Sequence, residues 1–246
     1  MRIRVLGASG AWPTAEEPCS GFLAEHDGFN LLIDVGYATL PRLQRHLPAG
    51  SVDAVVVSHG HPDHCADLNP LLRARALDER PPPTLPVFAL PGALDAVLAL
   101  DRRGMLDDAY ALHRIRPGRR FDIGPFTVEP RLLPHWVPNV GLRVTAGGTT
   151  FAYTGDCGPD PGVVELAERA DLLIAEATYP DRLPSGDAAY LSSARGAGLQ
   201  AARAGVGRLL LTHLWPGTEH DLALEAAARG YRGDTAVAVS GLSIEP

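Results

Sequence analysis

Ser58-His59-Gly60-His61-Pro62-Asp63-His64 is the most informative segment of this 246-residue chain. It follows a continuous apolar run, Asp53 to Val57, which is typical of a strand buried on both faces. Imidazole nitrogens and carboxylate oxygens are the ligands that zinc and similar metals prefer. The segment carries four such groups, too many for one catalytic zinc that must keep an open position. It therefore predicts a site for two metal ions just past a buried strand.

Other strand-like runs also end in histidine or aspartate. They lead into Asp34, His135, Asp156 and His213, after Leu31 to Ile33, Val128 to Leu133, Phe151 to Tyr153 and Leu209 to Leu211. A buried strand that ends in such a residue delivers its side chain to the edge of a sheet. We therefore expect these side chains to meet the His59 segment at one edge of the fold.

The His59 segment resembles the HxHxDH motif of the metallo-β-lactamase superfamily. Order and spacing along the chain are similar to the branch of tRNA 3′-processing endonucleases, cyclic-nucleotide phosphodiesterases and alkylsulfatase-like hydrolases. The resemblance rests on Cys19-Ser20-Gly21-Phe22-Leu23, Asp34-Val35-Gly36, the motif, His135, Thr154-Gly155-Asp156, Ala175-Glu176-Ala177-Thr178 and Leu211-Thr212-His213. It implies an α/β (α+β) four-layer αββα sandwich, with residues 1–246 as a single domain.

The resemblance also implies a ligand set. One metal is expected on His59, His61 and His135, the second on Asp63, His64 and His213, with Asp156 bridging the two. Two zinc ions are the leading expectation, with manganese or iron as alternatives. By the same resemblance, Asp34 is a hydrogen-bonding partner within the motif loop and not a ligand.

The expected reaction is hydrolysis of a phosphodiester or a similar small substrate. Two divalent cations that share a water lower its pKa, so that hydroxide exists near neutral pH and can attack. Asp63 is expected to help orient that hydroxide. The resemblance implies a further pair, a glutamate matching Glu176 and a proton-donating histidine, but Tyr190 stands at the histidine position.

Tyrosine, with a normal pKa near 10, is a poorer proton donor at neutral pH than histidine. A lactonase, thioesterase or sulfatase on the same site therefore stays open. A metal-bearing accessory or binding protein without turnover is a third alternative. Loops around the predicted site also carry Trp12, Trp136, Tyr179 and Trp215, which could line a substrate pocket or serve in packing.

Composition limits the partners. A net charge of −7, with no lysine, makes nucleic acid an unexpected partner, and the stretch from Asp156 to His213 is too short for a tRNA-gripping arm. No apolar run is long enough to cross a bilayer, and no signal peptide is seen. Three scattered cysteines favour a reducing, cytoplasmic location. A homodimer is expected by analogy only.

The pattern of apolar residues also predicts secondary structure. Helices are expected over Ala38 to Leu47, Leu68 to Leu77, Ala93 to Leu100, Gly162 to Arg169, Ser193 to Ala204 (capped by Ser192) and Leu222 to Arg229. Residues 71–113 are expected to form either a lid over the site or a helical surface layer.

Overall fold

The computed structural model describes residues 1–246, and the fold is built from two seven-stranded sheets with helices on both outer faces. The first sheet has the order β14-β1-β2-β3-β4-β5-β6 and the second β13-β12-β11-β10-β9-β8-β7. The four-layer αββα sandwich expected from the sequence is confirmed.

The first sheet begins antiparallel and becomes parallel at the pair β3 and β4. Its strands are β1 (Arg2–Gly7), β2 (Gly21–His26), β3 (Phe29–Val35), β4 (Ala54–Val56), β5 (Leu85–Ala89), β6 (Tyr110–Arg114) and β14 (Ser243–Ile244). All three residues of β4 are buried, as expected for a strand covered on both faces.

The second sheet repeats this order of pairing: antiparallel through β7 to β10, then parallel from β10 to β13. Its strands are β7 (Phe121–Ile123), β8 (Phe126–Leu133), β9 (Asn139–Ala146), β10 (Thr149–Tyr153), β11 (Leu172–Glu176), β12 (Arg208–Thr212) and β13 (Asp234–Val237). In both sheets, the parallel strands deliver their carboxyl ends to one edge of the sandwich.

The helices are α1 (Thr39–Leu43), α2 (Pro62–Cys65), α3 (Leu68–Ala76), α4 (Asp95–Leu98), α5 (Pro161–Leu166), α6 (Ala194–Ala204) and α7 (His220–Ala228). Helices α1, α3 and α4 cover the first sheet, and α5, α6 and α7 cover the second. A third core lies between the sheets, where Phe22, Phe126 and Phe151 are fully buried. None of the helices combines the length and hydropathy that a membrane span needs.

Two sequence predictions at helix ends need correction. Helix α1 ends at Leu43, short of the predicted Leu47, and only isolated turns follow it. The cap of α6 is Ser193, whose hydroxyl accepts from the amide of Gly196. The predicted cap, Ser192, instead donates its hydroxyl to the carbonyl of Cys157, so its side chain is held away from the helix.

Residues 71–113 form a surface layer and not a lid. Strands β5 and β6 extend the first sheet to its edge, and α3 and α4 pack on its outer face. The layer still supports the motif loop, because the carbonyl of Ala93 leaves no room for a Cβ at Gly60. Strand β6 was not predicted from the sequence; its residues are half-buried or exposed, as at a sheet edge.

Candidate metal centre

The predicted ligands come together where strands of both sheets end. His59 lies three residues beyond β4, and His135 two residues beyond β8. Asp156 lies three residues beyond β10, and His213 follows β12 directly. Each of these residues thus lies within three residues of a strand end, so the two sheets set where the side chains meet.

Two groups of ligand atoms form at this edge, each with its atoms within 4.8 Å of one another. The first consists of His59, His61, His135 and Asp156, and the second of Asp63, His64, Asp156 and His213. All are buried except His61 and His135, which are half-buried. The structure therefore brings together every residue that the sequence predicted as a metal ligand, with Asp156 common to both groups.

The carboxylate of Asp34, in β3, fixes the direction of two imidazoles of the motif loop, those of His59 and His64. His64 Nδ1 donates to Asp34 Oδ2 at 2.8 Å. His59 Nδ1 lies 3.0 Å from the hydroxyl of Ser58, which in turn donates to Asp34 Oδ2 at 2.8 Å. Asp34 also accepts from the phenol of Tyr153 at 2.7 Å. These bonds occupy the outer nitrogens, so the Nε2 atoms of both histidines face the centre.

A second chain of hydrogen bonds holds His213. Its Nδ1 lies 2.9 Å from the hydroxyl of Thr178, and that hydroxyl donates to Glu176 Oε1 at 2.7 Å. His213 Nε2 is thereby directed at Asp63 Oδ2 and Asp156 Oδ2, both 3.2 Å away. His135 Nδ1 donates to the main-chain carbonyl of Tyr190 at 2.9 Å, which likewise turns its Nε2 inward.

The inward-facing atoms fit divalent cations. His59 Nε2, His64 Nε2 and Asp156 Oδ1 are buried and have no hydrogen-bond partner within the protein. A buried polar atom left without a partner costs roughly 1–3 kcal/mol, so a bound cation would stabilise these three atoms. The donors are nitrogen and oxygen, the set that suits zinc.

Burial and mutual charge shift the pKa values of these groups in different directions. Burial lowers the pKa of His59, His61 and His135, which favours neutral imidazoles. For His64 burial acts in the same direction, but the carboxylates of Asp156, Asp63 and Asp34 outweigh it and raise its pKa. Burial would raise the pKa of Asp156, yet the neighbouring histidines His213 and His64 hold it well below its usual range.

The backbone is strained around the second group. Ala11, Asp34 and His213 adopt positive φ angles of 59°, 55° and 59°, a region that residues other than glycine rarely occupy. Ala11 donates its amide to Asp63 Oδ2 at 2.9 Å, so the loop after β1 helps hold this carboxylate. No sequence pattern predicted this contact, because a main-chain donor carries no residue signal.

Glu176 and Tyr190, expected as a catalytic pair, are not joined by a side-chain hydrogen bond. The Glu176 carboxylate accepts from the Cys157 amide, the Ser192 amide and the Thr178 hydroxyl. It is 1% exposed, and burial, with the charge of Asp156, raises its pKa to about 8. Tyr190 is 37% exposed, and its ring packs on Trp136 with centroids 5.4 Å apart. Glu176 is thus placed to position His213 and the loop before α6.

Comparison with known proteins agrees with this geometry. A family profile described as the beta-lactamase superfamily domain matches residues 29–214. The chain is 32% identical to the probable metallo-hydrolase YhfI of Bacillus subtilis, with 98% of both proteins covered. It is 28% identical to ribonuclease Z of Haloferax volcanii, over 100% of this chain and 95% of that protein. The expectation that nucleic acid is an improbable partner is therefore not supported.

Solved structures give the same picture. The crystal structure of YhfI superposes with a TM-score of 0.90 over 99% of both chains. Human tRNase Z, short form, has a TM-score of 0.79 at 23% identity, covering 100% of this chain and 99% of that one. A diphosphatase of the PhnP family also has a TM-score of 0.79, at 17% identity, over 100% and 97% of the two chains. The last two similarities bear on the fold alone.

Proposed function

The chain belongs to the metallo-β-lactamase superfamily, and from this membership and the paired ligand groups we propose that it is a dinuclear metal-dependent phosphodiesterase. The observation that carries the proposal is that two four-residue ligand groups share Asp156. A shared carboxylate keeps two cations close enough to act on one substrate. The relatives named as metallo-hydrolase and ribonuclease Z agree with a hydrolase.

We assign the two sites as the sequence predicted. His59, His61 and His135 would hold one cation, Asp63, His64 and His213 the second, and Asp156 both. Zinc suits this nitrogen and oxygen set best, and manganese or iron would also be accepted. When bound, two such cations supply Lewis acidity to the reacting phosphorus and lower the pKa of water.

The protein's own groups then orient the reactants. Asp63 has one oxygen occupied by the Ala11 amide and by His213, and its other oxygen can accept a hydrogen bond from the attacking water. Tyr190 carries an exposed phenol whose ring packs on Trp136, the residue after His135, and from there it can donate to the leaving oxygen. Glu176 acts indirectly, by holding Thr178 and the main chain just after Tyr190, at Ser192.

The tyrosine favours a second candidate reaction. Since a phenol of pKa near 10 donates a proton poorly at neutral pH, substrates with good leaving groups suit this site better than unactivated diesters. Thioesters and aryl sulfates belong to that class, whereas lactones and carboxylic esters suit the site because their carbonyl carbon is more readily attacked than the phosphorus of a diester. A metal-bearing protein without turnover remains the third alternative.

Metal analysis and a substrate panel test the proposal. The protein loaded with zinc should hold two ions per chain and hydrolyse bis(p-nitrophenyl) phosphate faster than p-nitrophenyl acetate, an aryl sulfate or a lactone. His61→Ala should reduce turnover on the order of 100-fold or more, because it removes a ligand. His46→Ala is the matched control, since this histidine is exposed and outside the site.

Each alternative predicts a different outcome. Faster hydrolysis of an ester, sulfate or lactone would replace the phosphodiesterase assignment with the second candidate. Two bound zinc ions with no turnover on any substrate would favour the accessory protein. Unchanged turnover in His61→Ala would show that the metal site itself is wrongly assigned.

A further inference from the structure

Exposed aromatic side chains are concentrated around the candidate metal centre. The chain has only three tryptophans, and all three lie in loops next to proposed ligands. Trp12 is 45% exposed, Trp136 50% and Trp215 38%. Large aromatic rings usually bury most of their surface, and exposed ones gathered at one place mark a binding site.

One cluster of rings flanks the second ligand group. Trp12 and Trp215 meet edge to face with centroids 5.0 Å apart, and Tyr179 stacks on Trp215 at 6.2 Å and 12°. Trp12 follows Ala11, the donor to Asp63, and Trp215 lies two residues beyond His213. We call these three rings the Trp12 cluster.

Another cluster flanks the first ligand group. Trp136 follows His135, and their ring centroids are 5.1 Å apart. Tyr190 packs on the same indole at 5.4 Å and 33°. No ring of this pair, the Trp136 cluster, stacks on a ring of the Trp12 cluster. The two ligand groups therefore have separate aromatic surfaces, one beside each.

The charges of the centre favour a singly charged phosphorus group. Its ion pairs join only histidines to Asp34, Asp63 and Asp156, with no arginine among them. Two divalent cations offset by Asp34, Asp63 and Asp156 leave about one positive charge. This balances the single negative charge of a phosphodiester. A terminal phosphate, with its second negative charge, finds no additional cation there.

Resting on the phosphodiesterase function above, we propose that the two clusters bind planar rings on opposite sides of the scissile phosphorus. The substrate class is then linear diesters with a ring on each ester arm, such as dinucleoside monophosphates and the ends of short single strands. Water adds its oxygen to phosphorus, one P–O ester bond breaks, and the proton from water goes to the leaving alcohol. Stacking on aromatic side chains is the way proteins bind unpaired bases.

Two activated substrates with the same leaving group test this arrangement kinetically. Bis(p-nitrophenyl) phosphate has a ring on both arms, and methyl p-nitrophenyl phosphate has one only on the leaving group. Trp136→Ala and Trp215→Ala should differ. The variant that loses the surface for the leaving group should lower kcat/KM for both substrates by the same factor, about 10-fold. The other should lower it only for the bis-aryl diester.

An exposed apolar residue outside both aromatic clusters provides the control. Leu77→Ala, at a side chain 63% exposed just past the end of α3, should change neither value. If both tryptophan variants retained wild-type kcat/KM for both substrates, the two-cluster proposal would be wrong.

A binding measurement separates this proposal from the proposed function. All three tryptophans belong to the Trp12 and Trp136 clusters, so the tryptophan fluorescence of the protein reports ligand contact with these clusters directly. Zinc-loaded protein should be titrated with phosphorothioate-linked ApA, which has two bases, and with cyclic AMP phosphorothioate, which has one. We expect about 10-fold tighter binding of the dinucleotide and loss of that advantage in both tryptophan variants. Equal affinity would overturn the proposal, whereas the expected preference without any hydrolysis would overturn only the phosphodiesterase assignment.

Discussion

Replacement of Thr178 by valine should weaken the binding of the metal ion held by His213 and leave the binding of the other ion unchanged. The Thr178 hydroxyl is the link between His213 Nδ1 and the Glu176 carboxylate, at 2.9 and 2.7 Å. Valine keeps nearly the same volume but removes the hydroxyl. The imidazole of His213 then loses the partner that fixes its orientation, while His59 and His135, ligands of the other ion, keep theirs.

The expected size of the effect follows from these contacts. Loss of such an outer hydrogen bond typically costs 10- to 100-fold in metal affinity, so the second ion should bind about 10- to 100-fold more weakly. In the metal-free protein, a buried nitrogen and a buried carboxylate oxygen each lose a partner. This should lower the free energy of unfolding by about 1–3 kcal/mol.

Competition with a chromophoric zinc chelator measures both affinities in one titration. Thr212→Val is the matched control, because the Thr212 hydroxyl is equally buried, lies next to His213 and has no hydrogen-bond partner. It should leave both affinities unchanged and not reduce stability. The reasoning would be refuted if Thr178→Val left both ions unchanged, weakened both equally, or differed in no way from Thr212→Val.

Three further predictions concern the proton donor, pH and the motif loop. Tyr190→His should raise phosphodiesterase activity by about 10-fold or more, measured as kcat at neutral pH; no change or a loss would show that Tyr190 does not occupy the donor position. Because the pKa of His64 is raised in the folded protein, its protonation stabilises the metal-free protein below about pH 6.5, and this stabilisation is lost as the pH rises. Zinc binds only after His64 has lost that proton. The gain in Tm produced by zinc should therefore increase from about pH 5 to about pH 8, and a constant gain would contradict this. Gly36→Ala would force a Cβ into the carbonyl of Asp63 and should lower Tm by about 5 °C or more. Gly50→Ala should not, because its Cβ would lie at ordinary van der Waals distance, 3.7 Å, from Pro82. Equal Tm values in a thermal melt would refute the packing argument.

The sequence predicted the fold and the ligands because both depend on strands that end in metal-binding residues. Asp156 and His213 follow apolar runs, and His135 follows a strand in which apolar and polar residues alternate; both patterns are readable without a structure. The supporting hydrogen bonds were less accessible. Ser58 and Thr178 are ordinary small polar residues by sequence, and only the pairing of strands places their hydroxyls between a histidine and a carboxylate.

The two sheets support their histidines by the same arrangement, and in it Glu176 contacts the Thr178 hydroxyl and not the Tyr190 side chain with which the sequence paired it. Asp34 lies in β3 and Glu176 in β11, each at or near the carboxyl end of a strand. In both sheets the neighbouring parallel strand, β4 or β12, leads to a histidine of the centre.

A hydroxyl joins carboxylate to imidazole in each case, Ser58 for His59 and Thr178 for His213. Parallel pairing brings the ends of adjacent strands to one edge of the sheet. A single hydroxyl side chain can therefore bridge the carboxylate at the end of the first strand and the histidine that follows the second. By position and contacts, Glu176 therefore corresponds to Asp34. Its removal should act on the affinity of the second metal ion before it acts on any proton transfer.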